Sequence, residues 1–401
     1  MAKIDIIHNL ILKIKQAMMK KISRDIFSVI GGRIFTSGLY FIFTLILMSV
    51  LTVEEYGKYT YYYSIMLMVP FILDLGTNNA FIALGAKKAS ISVKQYYIYK
   101  NNFLFIKYLL LSIFILFATI IYLLNLINFF ILVVILFGSA LSIQELFSTL
   151  LVAKKNFKLL IFLMPIRNFI AVIILIIMCY FIEITDLDAV FIIGFASFIS
   201  SLIYTIIVRE YRINIKTLSK RIWEDFFKYS GWLVIYNFAT TVMVRLEIFV
   251  LEYYGNHKII DINELGYFSA AFSFAFILPL ITNSIVRVML PNIASIRYFD
   301  EYQKYLANIK RLILPVTLSI LIMILLIVIF IYFFYYEKYE HSIVVFIIIS
   351  LATIMTFFTN LLMTLFYASK KTYIIAKIGV YQLFIVIFRL VYSRIKSLGN
   401  W

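Results

Sequence analysis

Among the ionisable side chains inside long apolar runs of this sequence are Arg33, Asp74, Glu145, Arg167, Arg245, Glu247 and Lys377, with Arg287 near the end of another. A charge at bilayer depth costs about 2.5–3.5 kcal/mol even on insertion scales, so such residues face an internal cavity or a partner. The cations Arg33, Arg167, Arg245 and Lys377 suit a water-accessible cavity that holds a phosphate or an acidic sugar. The carboxylates Asp74, Glu145 and Glu247 suit a coupling proton or sodium ion. The competing reading is structural, with ion pairs between helices and snorkelling by Arg287 and Lys377. Arg245 and Glu247 are two residues apart and point to different sides of a helix, so they are not read as a pair. Asn78, Asn79, Asn237, Asn283 and Asn360 fit a sugar-binding lumen or interhelical hydrogen bonds. Metal chemistry has no support: Cys179 is the single cysteine, and His8, His257 and His341 lack ligand spacing. No phosphate loop of the GxxxxGK[ST] type occurs, and no cofactor is expected.

The elements that must position these residues are membrane helices. Hydrophobic residues make up 64% of the 401 and charged residues 14%, with a mean hydropathy of +0.99. Apolar runs of about 20 residues recur along the chain, each long enough to cross some 30 Å of hydrocarbon. They do not alternate, which excludes a spanning β-barrel. The first six spans are expected near 26–51, 60–83, 103–124, 128–153, 159–182 and 188–208. After a polar linker at 209–229 come five more, near 230–252, 266–290, 311–335, 342–368 and 372–392. Residues 1–25 are basic with isoleucines at helical spacing, which fits either an interfacial helix or a cytoplasmic tail. They do not resemble a cleaved signal peptide.

The net charge of +17 does not point to nucleic acid, because the charges sit in short loops. Odd-numbered connections carry mostly acids, such as Glu54 and Glu55, Glu183 and Asp186, Asp261 and Glu264, Glu337 and Glu340. Even-numbered connections carry bases, such as Lys87 and Lys88, Lys154 and Lys155, Arg209 and Arg212, Lys304 and Lys310, Lys370 and Lys371. Lys/Arg bias marks the cytoplasmic side, so the N-terminus is expected inside.

The chain also repeats. Setting Glu55 against Glu264 aligns Gly57 with Gly266, Ser64 with Ser273, Pro70 with Pro279 and Asp74 with Asn283. A second match sets Lys154–Lys155 against Lys370–Lys371. Spans one and two therefore pair with seven and eight, and four and five with ten and eleven. The expected fold is an all-α polytopic membrane protein of two parallel six-helix lobes, 26–208 and 230–401, with an axis near the membrane normal. Matched kinks are expected at Pro70 and Pro279. About 11 spans are seen, and the missing twelfth is read as truncation of the second lobe.

Arg33, the turn LTVEEYGKYTYYYSI, and the DLG of Asp74–Gly76 followed by Asn79–Ala80 resemble the polysaccharide transporter family. That family holds the O-antigen and capsule repeat-unit flippases of the multidrug/oligosaccharidyl-lipid/polysaccharide exporter superfamily. The segments KYSGWLVI, VRLEIFVLEYYG and ELGYFSAA look like the start of its second lobe. The resemblance implies a MATE-like fold in the bacterial inner membrane. It implies a flippase, not an enzyme, that moves undecaprenyl-diphosphate-linked oligosaccharide by alternating access, driven by a proton or sodium gradient. Membrane lipids and other polysaccharide-assembly membrane proteins are the expected partners, and nucleic acid is not. The rivals are a MATE-type drug or cation exporter and, from another class, a membrane polysaccharide polymerase or glycosyltransferase. Such enzymes display a long extracytoplasmic loop, whereas these loops are short. The topology is open to a direct test. In a Cys179→Ser background, Asp261→Cys is expected to react with a membrane-impermeant maleimide on intact cells and Lys155→Cys only after lysis; the reverse pattern would invert the orientation.

Overall fold

The structure is a computed structural model that describes residues 29, 31–89, 92–279, 299–368 and 372–398. The basic segment 1–25, Asn283, Arg287 and the Lys370–Lys371 pair lie outside the described residues. Every regular element within them is helical, and eight helices are long and apolar enough to span a bilayer.

The first span is α1, Gly31–Val50. The second is divided into α2, Val53–Asp74, and α3, Thr77–Ala89. Next come α4, Val93–Leu123, and α5, Phe129–Ala153. The fifth span is also divided, into α6, Phe157–Leu163, and α7, Ile166–Phe181, and α8 covers Asp186–Val208. The second half consists of α9, Lys220–Asn256, α10, Asn263–Ala275, α11, Phe299–Tyr339, α12, Ser342–Ala368, and α13, Thr372–Leu398.

The turn residues explain where the rods start. Thr52 and Glu55 form a capping box, each side chain satisfying the other residue's amide, and Thr185 and Asp188 repeat the device at α8. Asn128 accepts from the Ile131 amide to start α5. The acids of these connections thus lie in first helical turns, where the macrodipole favours them.

The sequence places a kink of the second span at Pro70; α2 continues as helix through that residue to Asp74. The interruption comes at Leu75 and Gly76, with φ of 43° and 66°. Gly76 is also pressed against α9, since a Cβ there would lie 2.7 Å from the Ser230 Cβ. Pro70 leaves its mark elsewhere. It cannot donate to the Met66 carbonyl, and α5 closes on that oxygen through Gly138, where a Cβ would approach to 2.6 Å. In the second half, α10 ends at Ala275, whose carbonyl is the acceptor that Pro279 cannot use.

The expected linker 209–229 is shorter than predicted. Only 209–219 connects, and it is held by α4: Asn102 donates to the Thr217 carbonyl at 2.9 Å and accepts from the Ser219 amide at 2.8 Å. From Lys220 the chain is already α9. Its first turns pack on the first half of the protein, with Trp223 stacked on Phe105 at 5.4 Å and Phe226 fully buried beside Phe103.

The two halves meet at residues that the repeat sets as equivalent. Gly57 of α2 and Gly266 of α10, equivalent in the repeat, touch each other: a Cβ on Gly57 would lie 2.8 Å from the Gly266 nitrogen. Self-equivalent residues in contact mark a pseudo-twofold axis. Around the crossing, Tyr56 and Ser273 share a hydrogen bond of 2.8 Å, and Tyr335 donates to the Leu45 carbonyl at 3.0 Å. The Lys338 ammonium donates to the carbonyls of Met48, at 3.0 Å, and of Leu51, capping the negative end of α1. These contacts gather at the end of the bundle that carries the acidic loops. At the opposite end, Lys154 and Lys100 converge on Glu210.

The glycine contacts set a contrast. Gly266→Ala would drive a methyl group into the Val53 carbonyl and should cost about 1–3 kcal/mol. Gly231→Ala, with nothing within 4 Å of the new methyl, should instead stabilise by up to about 1 kcal/mol through helix propensity. Thermal unfolding of the two purified variants in detergent measures both; a harmless Gly266→Ala would remove the close crossing from the fold.

Candidate functional site

The break in the second span places a carboxylate where a helix ends inside the lobe. The Asp74 Oδ1 accepts from the Asn78 amide at 2.9 Å, which starts α3, and the Thr77 hydroxyl donates to the Asp74 carbonyl at 2.6 Å. The carbonyls at the end of α2 still need donors, because an unsatisfied backbone group in hydrocarbon costs several kcal/mol. Lys107 of α4 supplies them. Its ammonium donates to the Leu73 carbonyl at 3.2 Å, the Asp74 carbonyl at 3.4 Å and the Asp74 carboxylate at 3.0 Å. The Lys107 side chain is only 5% exposed, so this is a buried ion pair.

Two further predicted residues join it. Glu145 of α5 has Asp74, Lys107 and Arg167 as its charged neighbours. Glu145 and Arg167 line a cavity of about 190 Å³ with Thr36, Pro70, Phe71, Gln144 and Ser148. Glu145 presents accessible surface to this cavity although it lies within the body of the lobe. Arg167 comes two residues after the break in the fifth span. Its Nε donates to the Asn168 side chain at 2.9 Å, and Asn168 donates to the Thr36 carbonyl at 2.8 Å, fixing α7 to α1. With all four groups ionised, Asp74 and Glu145 balance Lys107 and Arg167. A volume of this size holds water or an ion, and falls below the roughly 300–1,000 Å³ of small-molecule pockets.

Arg245 stands elsewhere, on the seam between the halves. Its guanidinium donates to Ser64 of α2 at 3.2 Å and lies 5.8 Å from the Phe272 ring of α10. Nearby, Tyr59 stacks on Tyr63 and Tyr63 on Tyr40, each pair at 5.7 Å. Glu247 is exposed, on another side of α9 from Arg245. Arg33 of α1 and Lys377 of α13 are also exposed, and the Lys377 ammonium lies 5.9 Å from the Tyr373 ring. The structure therefore gathers Asp74, Glu145 and Arg167, separates Arg245 from them, and adds Lys107. The sequence contained the signal for Lys107, which is the one charged residue of the run expected at 103–124.

The buried pair has a measurable consequence. Lys107→Met leaves Asp74 without its partner and should destabilise by about 3–5 kcal/mol, whereas Lys107→Met with Asp74→Leu should recover much of that loss. A double-mutant cycle on the unfolding of the purified protein reads the difference; additive losses would mean that the pair does not interact.

Residues 22–297 match the family described as polysaccharide biosynthesis protein. Among solved structures, the chain is similar to an outward-facing multidrug resistance MATE transporter of the MOP superfamily, at 10% identity and TM-score 0.58, covering 90% of this chain and 86% of that one. A MATE protein in a straight conformation matches at 13% identity and TM-score 0.61, covering 91% and 85%. A mutant MATE transporter from Vibrio cholerae matches at 14% identity and TM-score 0.57, covering 92% and 88%. At these identities the likeness concerns the fold. No curated protein matches the sequence. The family match spans more than half of the chain, the fold is that of the MATE transporters, and the chain belongs to the polysaccharide biosynthesis protein family.

Proposed function

We propose that this protein flips an undecaprenyl-diphosphate-linked oligosaccharide, an O-antigen or capsule repeat unit, across the bacterial inner membrane by ion-coupled alternating access. The observation that carries this reading is Arg245. It is a cation on the seam between two repeat-related halves, within reach of a hydroxyl and aromatic rings. A guanidinium there suits a diphosphate, because its planar fork meets two phosphate oxygens at once. Tyr40, half-buried beside it, is the ring that can meet a sugar, while Tyr59 and Tyr63 are buried behind it.

The small cavity around Glu145 takes the other role. It is too confined for a saccharide and rich in charge, which suits the coupling ion. The contacts of Gly57, Tyr56 and Lys338 close the acid-rich end. If Lys/Arg bias marks the cytoplasm, this is the outer side, and the conformation is one that loads from within. Exposed Arg33 and Lys377 then lie along the route of the headgroup, while the lipid tail stays in the bilayer. Glu247, exposed on α9, is a second candidate for ion coupling.

Export of drugs or cations is the second reading, supported by Asp74 and Glu145 inside a MATE-like fold. Complementation of a flippase-deletion strain separates the two. The chain should restore surface polysaccharide and clear the lipid-linked intermediate, and Arg245→Ala should lower that flux at least tenfold with normal membrane abundance. Failure of the wild-type chain beside a working flippase control, together with a gain in drug resistance, would replace flipping with drug export.

A further inference from the structure

Lys107 has the surroundings of a bound metal cation. Three oxygens converge on its ammonium, two of them backbone carbonyls from the C-terminal end of a half-helix and the third the Asp74 carboxylate. In transporters built on broken helices, that combination of unwound carbonyls, negative helix end and carboxylate coordinates a coupling ion. Here it is filled by a group that cannot leave, because Lys107 is covalently part of α4. An ammonium has three donors and no acceptor, and each oxygen of the set answers to it. The Lys107 side chain is 5% exposed and that of Asp74 16%, so the ammonium itself occupies the place a cation would take.

Glu145 differs from Asp74 in having no ion pair within 4 Å among the described residues and in facing an accessible cavity. The groups around it are Asp74 from α2, Lys107 from α4 and Arg167 from α7. The Tyr204 hydroxyl of α8 lies beyond them, beside Gln144 and Ser148. Adding a proton to Glu145 turns a balanced set of four charges into a net cation and leaves Arg167 without a matching carboxylate. Removing the proton restores the balance. Only a proton is exchanged in this step, taken from cavity water and returned to it.

We infer that Lys107 is a tethered surrogate for a coupling metal ion, and that the ion exchanged in this lobe is a proton carried by Glu145. The inference rests on the ion-coupled reading above and narrows it from proton or sodium to proton.

The test uses the full chain purified in detergent, with no glycolipid present, so its outcome is independent of the cargo. Thermal unfolding is followed in sodium chloride and in choline chloride at equal ionic strength. The wild-type midpoint should be the same in both, whereas Lys107→Ala, with its oxygens vacated, should show a saturable sodium-specific rise of a few degrees. Lys107→Ser makes the same comparison if the alanine variant does not fold. A pH titration of intrinsic fluorescence should show a transition in the wild type that Glu145→Gln abolishes. A sodium-specific rise in the wild type, its absence in the folded Lys107 variants, or a transition unchanged in Glu145→Gln would each overturn the inference. Loss of complementation with these results intact would discard the glycolipid cargo alone.

Discussion

Breaking a helix inside a membrane exposes carbonyl oxygens that no water satisfies, and the fold of the first half depends on how Lys107 answers them. One side chain closes the end of α2, neutralises Asp74 and fastens α4 to the second span. Everything around the cavity is arranged about that point. α5 is free to come close along α2 because Gly138 has no side chain to meet the Met66 carbonyl. That approach brings Glu145 to the cluster, and the break before α7 brings Arg167 from the other side. The desolvation of these charges is offset only while all of them remain together, which is why they persist as a group in an apolar surrounding.

Much of this was legible in the sequence. The expected spans 128–153 and 342–368 agree closely with α5 and α12, since long apolar runs with polar ends leave little choice. The alignment of Gly57 with Gly266 marked a repeat but not a contact; the structure shows the two meeting, and a close crossing of equivalent helices needs small residues at equivalent places. Arg33, Asp74, Glu145 and Arg167 share a depth in the expected spans, which would let the four converge; the structure gathers the last three, and Arg33 of α1 is exposed. What hydropathy could not see was a break without a proline. Leu75 and Gly76 adopt positive φ against Ser230, a tertiary constraint with no local signature beyond the glycine. The start of α9 was missed for a different reason. Lys220, Arg221, Glu224 and Asp225 give that stretch the composition of a loop, while Ile222 and Phe226 form a buried stripe one turn apart. Averaged hydropathy hides such a stripe. The acidic turns carried two messages at once, since Glu55 and Asp188 serve helix caps as well as any charge bias across the membrane.

The two polar sites divide the work by size and place. The confined cluster lies within one half, where a change of charge alters how four helices hold together. Arg245 lies between halves, where relative movement alters its partners. A path between them exists in α2 itself, which carries Ser64, the acceptor of Arg245, and Asp74, the acceptor of Lys107, on a single rod. Movement of that rod changes both sites together.

The helix α9 belongs to both halves, and this has a mechanical meaning. Its first turns, with Trp223 and Phe226, are embedded in the first half, while its later turns pack against α13 and α10 in the second. A rod clamped at both ends behaves as a flexure: rotation between the clamps appears as bending in the stretch between them. That stretch begins at Ser230 and Gly231. The Ser230 hydroxyl donates back to the Phe226 carbonyl at 2.9 Å, and nothing crowds Gly231 within 4 Å of where a side chain would begin. Serine–glycine pairs are where helices bend. A rotation between the halves would therefore be taken up as bending of α9 at this point, within one continuous stretch of backbone.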